Sequence, residues 1–188
     1  MKRQAAQLAC VSALAFAGWM APASAQFNAV FEGNTTRVCV SASSFDANLA
    51  LLGTGNISSA SDVAVTTFRD DGTGTQVVRS LSISHGATGV GATPASESES
   101  TCDFNYTVSG TGLVSLTFGS CLANILTGPN AGQQIELSGL AGDWQFVDRR
   151  TTLVGVTTTP RVESQHNLTT GFTSQRICHR TSTRFVLR

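Results

Sequence analysis

The sequence predicts an all-β fold: a single antiparallel β-barrel of about eight to ten strands, with a β-sandwich as the alternative. Three observations lead to this prediction. The chain is rich in Ser, Thr, Gly and Val and poor in Lys and Met, a composition typical of strands rather than helices. Segments of alternating apolar and polar residues recur along it, separated by turns that contain Gly, Asn or Asp. The cysteines allow two disulfides.

The N-terminal segment, residues 1–25, has the layout of a secretory signal peptide. Lys2 and Arg3 precede an apolar run, and an Ala-x-Ala motif ends at Ala25. We therefore expect cleavage after Ala25 and a mature chain, residues 26–188, that forms one domain in the periplasm or outside the cell. No later apolar run approaches the roughly 18 residues of a membrane-spanning helix.

Charge is unevenly distributed in the predicted mature chain. Without Lys2 and Arg3, the 12 basic and 12 acidic residues of the full chain become 10 and 12, a net charge of −2. Residues 149–188 carry seven arginines against a single acidic residue, Glu163. Such a cluster can mark an anionic partner, but neighbouring acidic and basic strands explain it more simply. The negative net charge argues against nucleic acid as a partner.

The clearest element is a hairpin over residues 102–121, in which Gly110, Thr111 and Gly112 provide a three-residue loop. This loop pairs apolar residues on one face, while Asp, Asn, Thr and Ser occupy the other face. The apolar pairs are Val108 with Val114, Tyr106 with Leu116, and Phe104 with Phe118. One apolar and one polar face are what half-buried antiparallel strands require.

The hairpin also bears on the disulfides. Loss of the signal peptide removes one cysteine and leaves four, with three possible connectivities. The hairpin register puts Cys102 opposite Ser120, one step from Cys121, and so favours a bridge between the two hairpin cysteines. Cys39 and Cys178 then form the second bridge, which ties the first strands to the last and favours closure into a barrel.

The remaining strands follow from the same alternation. In chain order they are residues 27–32, 37–41, 63–69, 75–85, 134–137, 143–149, 151–158, 172–179 and 183–187. A turn at residues 33–34 separates the first two strands, and an Asp-Gly turn at residues 70–74 joins the third to the fourth.

One short helix is predicted over residues 45–52. Two serines precede it, Gly53 follows it, and Phe45, Leu49 and Leu52 share one helical face that would plug an end of the barrel. The Gly-, Ala- and Ser-rich stretch at residues 86–100 is predicted to be a mobile loop.

The best acid–base pair in the sequence is Glu163 with His166, because a carboxylate beside a histidine can tune its pKa for proton transfer. Residues three apart on a strand face opposite sides, however, so the pair would need a turn. We expect a solvated loop here and assign no catalytic residue.

Four arginines near the C-terminus recur at every fourth position. They are Arg176, Arg180, Arg184 and Arg188. On a strand this even spacing puts them on one face, either as a ladder for an anionic ligand or as an ordinary solvated face. We expect the solvated face.

No metal or cofactor site is predicted. Asp70, Asp71 and Gly72 could begin a calcium loop, but a hairpin turn explains them without an ion. His85 and His179 have no partner at metal-ligand spacing. The sequence carries no phosphate-binding, dinucleotide-binding or nucleophile-elbow motif.

The leading functional hypothesis is a non-enzymatic exported barrel that binds a small apolar or amphiphilic ligand. The predicted ligand contacts are Phe104, Tyr106, Leu116, Phe118, Trp144 and Phe146. The main alternative is a structural or interaction module at the cell surface that has no ligand pocket. An enzyme ranks lower, as does an outer-membrane barrel, because the aromatic residues form no paired girdles.

Overall fold

The computed structural model describes residues 26–86 and 94–187 as one antiparallel sheet of ten strands. The strands are β1 Ala29–Phe45, β2 Leu51–Phe68, β3 Thr73–Gly86, β4 Ser96–Val108, β5 Leu113–Ile125, β6 Gln134–Ser138, β7 Ala141–Val147, β8 Thr152–Val156, β9 Val162–Asn167 and β10 Thr173–Val186. Within the described residues, the only helical segment is one 3₁₀ turn, Asp148–Arg150. The predicted signal peptide, residues 1–25, lies outside them.

Pairing of the first strand with the last closes the sheet into a barrel. β1 pairs with β2 along one edge and with β10 along the other. β5 pairs with β7 along its first half and with β6 along its second half. β10 pairs in the same way with β9 and then with β8. The ten strands therefore occupy eight positions around the barrel, and the predicted antiparallel barrel is confirmed.

Alternation of side chains accounts for the β4–β5 hairpin. On β4 the residues Phe104, Tyr106 and Val108 are buried, and the polar residues between them are exposed. All three predicted apolar pairs form across the hairpin. Gly112 has a φ of 84°, and its N–H donates to the carbonyl oxygen of Ser109 at 3.0 Å, which closes the turn at the position where a glycine was expected.

Both predicted disulfides are present, each between directly paired residues. Cys39 on β1 bonds to Cys178 on β10, and Cys102 on β4 bonds to Cys121 on β5. The pairing shifts by one residue just after Cys102, so this cysteine faces Cys121 rather than Ser120. The first bridge joins the two strands that close the barrel.

An aromatic core fills one end of the barrel. Its buried members are Phe31, Phe68, Phe104, Tyr106, Val108, Val114, Leu116, Trp144 and Leu153. The ring of Phe68 meets three neighbouring rings edge to face at centroid distances between 4.9 and 5.8 Å. The Tyr106 hydroxyl donates to the Arg69 carbonyl oxygen at 2.6 Å, and burial raises the pKa of this phenol. These side chains therefore pack against one another at this end of the barrel.

The predicted helix over residues 45–52 is wrong, because a turn there connects β1 to β2. The Asp46 side chain accepts hydrogen bonds from the N–H groups of Asn48 and Ala50, both at 2.8 Å, and Leu49 has a φ of 63°. An aspartate that bonds its own backbone in this way favours a turn over a helix.

The predicted turn at residues 33–34 is also wrong, because β1 runs straight through it. A Cβ on Gly33 would overlap the carbonyl oxygen of Thr183 on β10. The glycine therefore serves a close approach between two strands rather than a turn. Two predicted C-terminal strands join in the same way into the single strand β10.

The predicted loop over residues 86–100 is shorter than expected, since β4 begins at Ser96; residues 87–93 lie outside the described residues. The first residues of β4 also form hydrogen bonds with the segment that follows β5. The Glu97 carbonyl oxygen accepts from the Leu126 N–H at 2.8 Å, and the Glu97 N–H donates to the Thr127 hydroxyl at 2.9 Å. These bonds anchor the β5–β6 connection at the barrel end that lies away from the aromatic core.

Candidate functional site

A cavity of about 480 Å³ occupies the barrel interior next to the aromatic core, and all ten strands contribute to its lining. Its wall is divided by chemistry into three strips. We call them the hydroxyl strip, on β2 to β4; the aliphatic strip, on β5 and β6; and the charged strip, on β9, β10 and β1.

The hydroxyl strip consists of serines that point into the barrel. Its members are Ser58, Ser80, Ser82, Ser84, Ser96, Ser98 and Ser100. Ser80 lies opposite Ser98 and Ser82 lies opposite Ser96, so the hydroxyl groups of neighbouring strands form adjacent rows. Leu81 on β3 points outward and is half exposed. The usual pattern, with apolar residues inside and polar residues outside, is therefore reversed along this part of the sheet.

The aliphatic strip continues the lining on the next two strands. Its members are Ala123, Ile125, Ile135 and Leu137. Ala123 lies directly opposite Ile135 in the β5–β6 pairing, and Phe118 extends this surface toward the aromatic core. A ligand in the cavity would therefore meet a hydrocarbon surface on one side and hydroxyl groups on the adjoining side.

The charged strip is centred on Glu163 of β9. This carboxylate is buried and accepts from Arg176 Nε at 2.8 Å, and both of its oxygens contact the guanidinium of Arg180, at 2.5 and 2.7 Å. Burial raises the pKa of the Glu163 carboxyl, but the two arginines outweigh it and hold the pKa below its ordinary value. Burial lowers the pKa of Arg176 to about 10, so it remains protonated at neutral pH.

A second ion pair extends the charged strip onto β1 and β2. Arg37 Nε donates to Asp62 Oδ2 at 3.1 Å, and Arg37 Nη2 donates to the Ser80 hydroxyl at 3.0 Å. The second carboxylate oxygen of Asp62, Oδ1, is buried and has no hydrogen-bond partner. The strip thus joins the hydroxyl strip through Ser80.

Arg184 on β10 lies at the boundary between the cavity and the aromatic core. Its guanidinium donates to the Ala64 carbonyl oxygen at 3.3 Å and to the Thr35 hydroxyl at 3.2 Å, and it stacks 4.7 Å from the ring of Trp144. Its Nε is buried without a hydrogen-bond partner. Burial lowers the pKa of Arg184 to about 10, against the opposing effect of Asp62.

The pairing in the barrel wall is interrupted where β6 passes into β7 across Gly139 and Leu140, and where β8 passes into β9 across residues 157–161. We call these two neighbouring interruptions the seam. The residues that connect these short strands also line the cavity, among them Leu140, Thr158 and Arg161. The cavity therefore extends sideways to the seam.

The predicted ligand contacts fall in two places. Phe118 and Trp144 line the cavity. Phe104, Tyr106 and Leu116 belong to the aromatic core, and Phe146 packs against that core. Contact of these six residues with a ligand stays a prediction. Position in the cavity wall favours it for Phe118 and Trp144 alone.

Two expectations about the C-terminal third are wrong. Residues 163–166 form strand β9 rather than a solvated loop. Glu163 points into the barrel, whereas His166 is bonded to the Thr173 hydroxyl at 2.9 Å outside it, so the two do not pair. The arginines at every fourth position of β10 face the interior rather than solvent.

One signal in the sequence could have placed these arginines correctly. Cys178 lies between Arg176 and Arg180 on the same face of the strand, and a bridge to Cys39 orients that face inward. Arg188, the last of the series, lies outside the described residues.

No group of three or more metal-ligating side chains occurs in residues 26–86 and 94–187. The Asp70–Gly72 segment forms a hairpin turn: Asp71 Oδ1 accepts from the N–H of Thr73 at 2.9 Å and from its hydroxyl at 2.7 Å, and Gly72 has a φ of 82°. These bonds, the one to the Thr73 hydroxyl above all, lower the pKa of Asp71. The Asp71 carboxylate is thereby engaged in the turn itself.

The same described segments contain no helix long and apolar enough to cross a membrane. Comparison of the chain with protein-family models, with curated proteins and with solved structures finds no match.

Proposed function

We propose that this protein is a non-enzymatic binding protein that holds a small amphiphilic molecule inside its barrel. The observation that supports this is the cavity of about 480 Å³, which is lined by an aliphatic strip beside hydroxyl and charged strips. Ligand pockets typically span about 300 to 1,000 Å³ and combine an apolar wall with a few polar groups. A barrel of eight strands is just wide enough to enclose one small ligand.

The one acid–base pair that the sequence offers, Glu163 with His166, does not form, which favours binding over catalysis by these two residues. Glu163 is the most buried carboxylate there, and both of its oxygens are already engaged by arginines. A general base needs a free lone pair within hydrogen-bond reach of the substrate. His166, the candidate partner, lies on the opposite side of the strand.

Native mass spectrometry of the protein purified gently from its own host tests this proposal. We expect a reproducible additional mass that leaves on denaturation. The same spectrum would test cleavage after Ala25 and thus export to the periplasm or medium, a location with which two disulfides are consistent.

A matched pair of variants tests the location of the ligand. Ser100→Phe adds a ring inside the cavity, whereas Thr101→Phe adds the same ring on the outer surface of the same strand. We expect the first to weaken binding of the neutral fluorescent probe N-phenyl-1-naphthylamine and the second to leave it unchanged. Equal binding by both variants would contradict a site inside the barrel.

An interaction module is the second candidate, favoured by apolar side chains on the outside of β1, β2 and β3. This outer apolar patch consists of Val38, Ile57, Val63, Val65, Val77, Leu81 and Ile83, each at least 39% exposed. If the patch joins two copies of the chain, sedimentation should show a dimer that Leu81→Ser weakens. Leu113→Ser is the control, because this leucine lies outside the patch and is 40% exposed, against 50% for Leu81.

A further inference from the structure

The charges that line the cavity do not balance. Four buried or half-buried arginines face the interior, and only two carboxylates, Asp62 and Glu163, accompany them. The arginines are Arg37, Arg176, Arg180 and Arg184. Arg161 and Asp143 also belong to the lining, and their opposite formal charges cancel in this count. The lining therefore carries two positive charges in excess.

This excess has two sources. Arg176 and Arg180 share the single carboxylate of Glu163, so one of their charges has no counterpart. Arg184 forms no ion pair, and its Nε is buried without any partner. Cationic groups removed from water without a counter-charge are costly, and a bound anion is the simplest way to offset that cost.

The excess charge shared by Arg176 and Arg180 lies close to the aliphatic strip. β9, which carries Glu163, pairs with β6, which carries Ile135 and Leu137. Arg180 is more accessible than Arg176, the other arginine bonded to Glu163. If the anionic group of a ligand bound at Arg180, the hydrocarbon part of that ligand would face Ile135 and Leu137. Hydroxyl groups also face the cavity from the serine rows of β3 and β4.

We propose that the cavity recognises the anionic head group of an amphiphile, a carboxylate, sulfate or phosphate, with Arg180 and Arg176 as its main contacts. This inference rests on the proposed ligand-binding function. It goes beyond that function because it specifies the charge of the ligand and the residues that select it.

Isothermal titration with three probes tests the inference: decanoate, decanol with the same tail and no charge, and acetate with the same head and no tail. We expect decanoate to bind at least about tenfold more tightly than either of the others, a difference of about 1.4 kcal/mol, because only decanoate makes both the charge-assisted hydrogen bonds and the apolar contacts. Equal binding of decanoate and decanol would overturn the anionic selection and leave the binding function intact. Equal binding of decanoate and acetate would overturn the amphiphile and leave the anion site intact.

Variants of the charged strip identify the contacts. Arg180→Gln should weaken decanoate binding about tenfold and leave decanol unchanged. Arg79→Gln, the same change on the outer surface, should alter neither affinity. Glu163→Gln raises the positive excess and should strengthen decanoate binding, whereas a merely structural role would weaken the binding of both probes. A decanoate affinity that neither Arg180→Gln nor Glu163→Gln changes would overturn the inference.

Discussion

Removal of the two disulfides, one at a time, tests how the barrel is held closed. The variants are Cys39→Ala with Cys178→Ala, and Cys102→Ala with Cys121→Ala. All four sulfur atoms belong to buried residues, so the loss of side-chain volume is nearly the same in the two variants. The variants differ mainly in the length of chain that each bridge closes, 139 residues for the first and 19 for the second.

The loop lengths set the expected magnitudes. In the loop-entropy relation, a bridge over 139 residues stabilises the fold by about 5 kcal/mol, and one over 19 residues by about 3 kcal/mol. Since many domains have a total stability of about 5 to 15 kcal/mol, loss of the first bridge is expected to bring the protein close to unfolding. Loss of the second should leave a cooperative transition at a lower urea concentration.

Urea unfolding followed by tryptophan fluorescence provides the measurement, because Trp144 is the only tryptophan after residue 25 and belongs to the aromatic core. The difference between the two variants should be about 2 kcal/mol. Equal losses, or a larger loss for the hairpin bridge, would refute the view that the Cys39–Cys178 bridge acts by joining the ends of the sheet.

Three further changes probe the interior by urea unfolding. Glu163→Gln should cost about 3 to 5 kcal/mol at pH 7, because it leaves two arginines without their shared carboxylate. The pKa of Glu163 in the folded state lies below its ordinary value of 4.5. The wild type therefore keeps this stability at pH 7 and loses it as the pH falls from 4.5 through the lower folded-state pKa. Below that pKa the unfolding free energies of the two proteins should converge. Gly155→Ala should destabilise the fold, because a Cβ would overlap the Trp144 indole, whereas Gly142→Ala, with open space around it, should not. Tyr106→Phe should cost about 1 to 3 kcal/mol, because the hydroxyl both accepts from the Phe27 N–H and donates to the Arg69 carbonyl oxygen, and an unchanged midpoint would contradict that role.

The hairpin at residues 102–121 shows what the sequence can predict. Strict alternation from Phe104 to Val108 and a glycine at the turn allow a single register, and that register brings Cys102 close to Cys121. Both disulfides and barrel closure follow from this one local argument. Patterns of this kind involve only residues that are close in the sequence, so they can be recognised without a structure.

The interior of the cavity could not be predicted in the same way. An inward face is assigned from its apolar residues, but on β3 the inward residues are serines and the outward ones include Leu81 and Ile83. A barrel that encloses a polar cavity removes the requirement that buried faces be apolar. The same reversal explains why the arginines of β10, predicted to face solvent, line the interior.

The failed helix at residues 45–52 has a different cause. Spacing of Phe45, Leu49 and Leu52 fits a helical face, yet β1 and β2 are antiparallel neighbours whose ends must be connected by a tight turn. The geometry of the sheet overrides a weak local preference, because pairing of two long strands involves many more interactions than one short helix.

The pairing of β1 with β10 has a consequence for synthesis and delivery of the chain. The two strands that complete the barrel are the first and the last, so residues 173–186 must be present before the edge of β1 is covered. A chain that is synthesised from its N-terminus therefore carries an open sheet, with unpaired backbone groups along the edge of β1, until β10 has been made. Any truncation before β10, or any stall in translation there, is expected to release a species prone to pair edge to edge with other chains.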